Sequence, residues 1–131
     1  MKELLSEKTI VDIALEIHRD FIDKMYPLFG LDKHPEYCVI EIKPLISLGG
    51  IIYGKLDRPD RIIMNDSYLH WQEVRNTSCH ESAHILHPFA RREYERTKRR
   101  SNKRNCFLGE IVAHLGSLVY LEKIYPSSYL N

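Results

Sequence analysis

The chain has no long hydrophobic run, and this absence limits the kind of protein it can be. None of its 131 residues belongs to an apolar stretch near the ~18 residues that a transmembrane helix needs. Residues 1–8 also lack the apolar segment of a signal peptide. We therefore expect a cytoplasmic protein that has no membrane partner.

Cysteine is scarce, with three residues that form an odd set, Cys38, Cys79 and Cys106. They are not spaced as metal ligands, so we expect reduced thiols of the kind found in the cytoplasm. Cys79 adjoins His80, but neighbouring helical side chains point about 100° apart, so a packed thiol is the expected role. Charge of one sign is not in excess either. The formal net charge of +1 indicates no particular class of partner.

What the chain does have is the pattern His-Glu-x-x-His, which begins at His80. On a helix His80 and His84 lie one turn apart on the same face, so both imidazoles can reach one metal ion. Glu81 points about 100° away from His80, which suits a base that takes a proton from water better than a ligand. The pattern predicts a zinc site with Glu81 as its base. The alternative is a surface helix that carries two ordinary histidines.

A zinc hydrolase needs a third protein ligand and leaves the fourth position to water. A third histidine just after the motif is excluded, because Ala90 stands at that place and Pro88 interrupts the helix. The segment 108–120 has apolar residues at helical spacing around a single acid, Glu110. An isolated carboxylate in such a stretch needs a partner or a metal. Glu110 is therefore the predicted third ligand, and a glutamate favoured by the helix dipole is the alternative.

The histidine pair, followed by the motif Glu110-x-x-Ala113-His114, resembles the pattern of the gluzincin zinc metallopeptidases. The short chain is most similar to the minigluzincins, small soluble proteins that are like the catalytic domains of integral-membrane metallopeptidases. The resemblance covers the C-terminal half well and the N-terminal half only in the order of its elements. It implies Zn²⁺ as the cofactor, with the ligands and the base that are named above.

One position departs from the gluzincin pattern. Gluzincins often carry an aspartate four residues after the metal-binding glutamate, and this chain has His114 there. The role of His114 is open between support for a ligand, an additional ligand and a catalytic donor. Gluzincin chemistry also implies a donor to the oxyanion. Both His114 and Tyr120 are candidates for that catalytic role, and the sequence does not choose between them.

The hydrophobic pattern predicts an α+β fold in a single domain that spans residues 1–131. The gluzincin resemblance implies the same layout, a small three-stranded sheet packed on helices in a minimal zincin-like fold. The expected parts are an N-terminal helix at 1–30, the sheet at 36–66, an active-site helix at 72–90, a glutamate helix at 105–125 and a tail at 126–131.

Two features near the motif have more than one interpretation. Residues 91–104 hold eight basic and two acidic side chains. Such a run can neutralise phosphates, but the near-balanced charge of the whole chain favours a solvated loop over a nucleic-acid contact. His87 lies close behind His84. Because Pro88 follows it, we expect His87 to cap the helix end rather than to crowd the metal.

The predicted function is a zinc-dependent endopeptidase that acts on peptides or unfolded proteins, with the substrate extended along the sheet edge. The alternative is a non-catalytic zinc-containing scaffold, or a DNA-associated regulator that uses segment 91–104. The tail presents Tyr129 and Asn131 after Pro126. The minigluzincin resemblance implies a latent form, or zymogen, whose C-terminal segment blocks its own site or that of a second copy. A frayed terminus is the alternative.

Overall fold

A computed structural model of the chain describes residues 3–44, 49–52, 61–86 and 103–125. These ranges hold one helix, three strands and two further helices, so the predicted α+β class is confirmed. The elements are α1 (Glu7–Met25), β1 (Val39–Ile42), β2 (Gly49–Ile52), β3 (Arg61–Met64), α2 (Trp71–Leu86) and α3 (Lys103–Val119), which a π-helical turn (Tyr120–Ile124) extends. The sequence interpretations of His87, Pro88, residues 91–102 and the tail at 126–131 lie outside the described residues.

Helix α1 is shorter than the predicted N-terminal helix and has a defined start. Ser6 caps it by accepting a hydrogen bond from the Thr9 N–H at 3.1 Å. The chain turns after the helix at Gly30, whose φ of +79° is a left-handed value that glycine adopts without strain. The buried positions recur every three or four residues, as on one face of a helix: Ile10, Ala14, Ile17, His18, Phe21, Ile22 and Met25.

Strand β3 lies in the middle of the sheet, whose order is β1-β3-β2. It pairs parallel with β1, with Val39 opposite Arg61. It pairs antiparallel with β2, with Gly50 opposite Ile63. Ile62, Ile63 and Met64 are buried, as expected for the central strand of a small sheet. Among the strands that the structure describes, β1 and β2 therefore form the two edges.

Helix α2, which carries the motif, begins with a reciprocal cap. The Glu73 carboxylate accepts a hydrogen bond from the His70 N–H at 3.2 Å, and the Glu73 N–H donates to the His70 carbonyl at 3.1 Å. The helix packs against α1 on one side and α3 on another. Its position between two helices explains why so many of its polar residues are buried: Thr77, Ser78, Glu81 and Ser82.

Small residues allow α3 to approach α2 closely. A Cβ atom at Gly116 would lie 2.8 Å from Phe29 Cζ and 3.6 Å from the Ala83 side chain, so only glycine fits there without displacement. A Cβ at Gly109 would meet the His84 ring at an ordinary 3.8 Å. The close approach of the two helices brings the acid of α3 within reach of the histidines of α2.

No helix in the described part of the chain is both long enough and apolar enough to cross a membrane.

Candidate metal centre

The three predicted ligands come together where α3 crosses α2. His80 Nε2 lies 3.0 Å from Glu110 Oε2, and His84 Nε2 lies 2.9 Å from Glu110 Oε1. The two Nε2 atoms lie 3.1 Å apart. Among the described residues, this is the group of three histidine, cysteine or acidic side chains whose donor atoms could hold a metal ion.

The side chains of His80, His84 and Glu110 lie close enough together to bind one metal ion between them. If each imidazole donated its Nε2 proton to one oxygen of Glu110, two N–H donors would lie 3.1 Å apart with no hydrogen bond between them. Ligand atoms placed about 2.0–2.1 Å from a tetrahedral zinc ion lie about 3.3 Å from one another. The two Nε2 atoms lie 3.1 Å apart, which is close to that value, and one donor atom from each of the three residues lies within 4.8 Å of the others. The donor set therefore fits a metal ion.

The cluster opens to solvent on the α3 side. The Glu110 side chain is 61% exposed and that of His80 is 31% exposed, whereas that of His84 is 14% exposed. Structural zinc sites are closed by four protein ligands, and catalytic sites keep one position open. The three predicted ligands are therefore partly open to solvent and are not enclosed by protein.

Glu81 lies beside this group in a different environment. It is 8% exposed, although it neighbours the partly exposed His80 along the helix. Burial, followed by the negative charge of Glu110, raises the pKa of Glu81 to about 7. A carboxyl group with a pKa near neutrality can both take up and release a proton at physiological pH, which is the property of a general base.

The two candidates for a catalytic donor occupy different places. His114 is exposed and follows Glu110 by one helical turn, so it lies on the same side of α3 as the proposed ligand. Tyr120 is fully buried, and its hydroxyl donates a hydrogen bond to the Asp20 carboxylate on α1. The Tyr120 ring packs on Phe21, with centroids 5.0 Å apart. His114 therefore shares the exposed side of α3 with Glu110, whereas Tyr120 is buried against α1.

Tyr120 also has a strongly raised pKa, because it is buried and because its hydroxyl already donates to Asp20. Its backbone takes part in the π-helical turn, where the Tyr125 N–H donates to the Tyr120 carbonyl at 2.7 Å. The contacts of Tyr120 with Asp20 and Phe21 connect the end of α3 to α1.

A buried histidine on α1, His18, contacts α2 on the side away from the predicted ligands. His18 Nε2 accepts a hydrogen bond from the Cys38 N–H at 2.8 Å, and His18 Nδ1 lies 2.8 Å from Ser82 Oγ. A backbone N–H can only donate, so the ring proton is on Nδ1 and is donated to Ser82. Burial, and then the charge of Arg19, lowers the pKa of His18 to about 4, so the ring is neutral.

The sequence does contain a signal for this role. His18 lies four residues after Ala14 and three before Phe21, on the apolar stripe of α1. A histidine at such a position must satisfy both ring nitrogens inside the protein. The identity of its partners depends on tertiary packing, because Ser82 is 64 positions away.

Cys79 has the packed role that its place beside His80 predicts. The thiol is free and fully buried, and burial raises its pKa to about 12. A thiol with such a pKa stays protonated at neutral pH and is a poor metal ligand, since the thiolate is the ligating form.

Comparisons of the chain with protein-family models, with curated proteins and with solved structures found no match. The interpretation of the centre therefore depends on its own atoms. Two imidazole nitrogens and one carboxylate form a donor set that catalytic zinc sites use. The neighbouring buried carboxyl group supplies a base of suitable pKa.

Proposed function

We propose that the protein is a zinc-dependent endopeptidase of the gluzincin type, with Zn²⁺ held by His80, His84 and Glu110. One observation carries this proposal. The Nε2 atoms of His80 and His84 lie 3.1 Å apart, and each lies within 3.0 Å of one oxygen of the Glu110 carboxylate, beside the buried Glu81. The α+β arrangement, in which the motif helix lies between two other helices and contacts the sheet, is compatible with a minimal zincin-like fold.

The residues divide the chemistry of peptide hydrolysis between them. A zinc ion held by the three ligands would polarise a peptide carbonyl and lower the pKa of a water molecule towards about 7. The Glu81 carboxylate takes a proton from the attacking water as the new carbon–oxygen bond forms. It then delivers that proton to the nitrogen of the leaving amine as the carbon–nitrogen bond breaks. His114, on the same side of α3 as Glu110, is positioned to donate to the developing oxyanion.

The exposure of the cluster favours catalysis over a purely structural zinc site. A structural site would be surrounded by protein, whereas the Glu110 side chain is 61% exposed. The DNA-associated alternative depends on segment 91–104, most of which lies outside the described residues, and so it gains no support from the structure.

The substrate is proposed to be a peptide or an unfolded protein bound in extended form. Strand β2 is one edge of the sheet, and it packs against the helix that carries the histidines. An edge strand offers unpaired backbone groups to which an extended segment can add by hydrogen bonding. This mode of binding recognises backbone more than side chains, so a broad range of sequences is expected.

Metal content and hydrolysis together test the proposal. Purified wild-type protein should contain one equivalent of zinc by mass spectrometry, and His84→Ala and Glu110→Ala should lose it. Cleavage of an unstructured fluorescent protein should follow the metal. Wild-type levels of zinc in both ligand variants, or a wild-type protein that binds no zinc, would contradict the metal assignment.

The resemblance to minigluzincins also implies latency, which needs a separate experiment. Residues 126–131 lie outside the described part of the chain, and the proposal for them comes from the resemblance alone. A protein shortened after Pro126 should gain peptidase activity or change its state of self-association. If zinc affinity, activity and assembly are all unchanged, the segment is not inhibitory.

A further inference from the structure

The imidazole of His18 connects three elements at a point directly behind the metal helix. It belongs to α1, it donates to Ser82 on α2, and it accepts from the backbone of Cys38 just before β1. The ring has no exposed surface. Ser82 is one of the two residues between Glu81 and His84 in the motif, so the contact falls within the turn that carries both proposed histidine ligands.

Helical geometry defines what this contact controls. Successive residues are rotated by about 100°, so Ser82 points about 160° away from each of His80 and His84, which are both two residues from it. The Ser82 hydroxyl is therefore on the opposite side of α2 from the two ligands. A hydrogen bond at that point restrains the rotation of the helix about its own axis.

We propose that His18 is a positioning residue for the metal centre, which fixes the rotation of α2 through Ser82 and so directs His80 and His84 towards Glu110. The inference depends on the proposed metal function and deepens it. His18 touches neither the ligands nor a substrate. Its effect on the centre passes through the backbone of α2.

Small rotations matter because the ligand atoms are far from the helix axis. The Cα atoms lie about 2.3 Å from the axis, which puts an imidazole Nε2 at about 7 Å. A rotation of about 10° then moves each Nε2 by about 1 Å. A metal site works only when its ligands are held within about 0.5 Å of their productive positions.

The chemistry of the ring makes it suitable for this task. Both nitrogens have directional partners at 2.8 Å, and the backbone donor at Cys38 leaves a single tautomer. The ring cannot rotate without breaking one of two buried hydrogen bonds. A serine at position 82 without this partner could rotate its hydroxyl to a carbonyl of its own helix and would restrain nothing outside it.

If His18 only stabilised the fold, loss of either of its hydrogen bonds would affect zinc binding equally. Two substitutions distinguish this role from the positioning of α2. Asparagine places its amide N–H near the position of Nδ1, so His18→Asn can keep the bond to Ser82 while it loses the bond to Cys38. Glutamine places its carbonyl near the position of Nε2, so His18→Gln can keep the bond to Cys38 while it loses the bond to Ser82. Each variant loses one buried hydrogen bond.

The measurement is the affinity of the folded protein for Zn²⁺, in competition with a chromophoric chelator. We expect His18→Gln to bind zinc about tenfold or more weakly than wild type, in line with the effect of residues that orient ligands. His18→Asn should stay within about threefold, because it keeps the partner on the metal helix. Equal affinities for the two variants would overturn the proposal, whatever their stabilities.

Ser82→Ala removes the same contact from the other side, and it provides the test if His18→Gln does not fold. It should weaken zinc binding by about tenfold as well, and unchanged affinity would overturn the proposal. Failure of the proposed function is recognised separately, since the wild-type protein itself would then bind no zinc. The inference alone fails when wild type binds zinc and Ser82→Ala binds it equally well.

Discussion

His84 Nε2 and Glu110 Oε1 lie 2.9 Å apart across the interface between α2 and α3. His84 is the least exposed of the three predicted ligands, so this contact is also the best protected from solvent. A carboxylate on one helix and an imidazole on another can meet in this way only if the helices approach closely. The centre is therefore a consequence of how α2 and α3 pack, as well as of the motif.

Zinc should stabilise the fold through this interface. A ligand present at about 100 times its Kd adds about 2.7 kcal/mol to the free energy of unfolding. Adding Zn²⁺ to metal-free protein should therefore raise the melting temperature, and a chelator should reverse the effect. In Glu110→Gln the increase should be lost, because the neutral amide is a poor ligand. Calorimetry of both proteins with and without zinc checks this. An equal increase in both would exclude Glu110 as a ligand.

Replacement of the base should separate catalysis from metal binding. Glu81→Gln keeps the size of the side chain but cannot accept the proton, so kcat should fall by at least about 10²-fold. Zinc content should stay at the wild-type level, because Glu81 is not a ligand in the proposal. The exposed Glu122 offers a matched control, since Glu122→Gln changes the same chemical group away from the centre. Equal cleavage by wild type and Glu81→Gln would show that another mechanism is at work.

The sequence predicts which residues share a face within one helical turn. It does not predict most of the contacts between residues that are brought together by packing. The relative positions of His80, Glu81 and His84 could be predicted from the sequence, because these residues lie within about one helical turn and helix geometry determines their directions. Glu110 was predicted from its isolation in an apolar helix, and it lies 30 positions from His80. The partner of His18 and the environment of Tyr120 depend on how α1 packs against other helices, which no local pattern determines. The central place of β3 in the sheet is likewise a property of long-range pairing.

The two candidate donors should differ in what their removal changes. His114→Ala should lower kcat, because this exposed residue lies on the ligand side of α3. Tyr120→Phe should leave kcat near the wild-type value and lower the free energy of unfolding by about 1–3 kcal/mol, because it removes a hydrogen bond to a charged group. Steady-state kinetics and urea unfolding distinguish the two effects. A large loss of kcat in folded Tyr120→Phe, together with none in His114→Ala, would reverse the assignment.

The two glycines of α3 should respond differently to the same substitution. Alanine is favoured over glycine in a helix interior by about 0.8–1.0 kcal/mol. At Gly109 the added methyl group would lie 3.8 Å from the His84 ring, an ordinary contact, so Gly109→Ala should gain the stability that alanine gives to a helix. At Gly116 it would lie 2.8 Å from Phe29, which must move. Gly109→Ala should therefore be more stable than Gly116→Ala by about 1 kcal/mol or more in urea unfolding. Equal stabilities would show that Phe29 moves without cost.

Acid should destabilise the metal-free protein through His18. Its pKa is about 4 in the folded protein and 6.5 as the ordinary value, so between these pH values the unfolded chain binds a proton that the folded chain does not. The free energy of unfolding then falls as pH decreases through this window, by about 1.4 kcal/mol per pH unit and about 3 kcal/mol in total. The stability that His18 contributes is fully present above about pH 6.5.

The comparison with a variant isolates this contribution from those of the other six histidines. Urea unfolding of metal-free wild type and His18→Asn from pH 4.5 to 7 should give curves that converge towards low pH, because asparagine does not titrate. Wild type should have the larger advantage at pH 7, where its neutral ring keeps both buried hydrogen bonds. Parallel curves would mean that His18 binds its proton equally well in the folded and unfolded chain. The ring could not then be the neutral, buried donor to Ser82 that the structure contains.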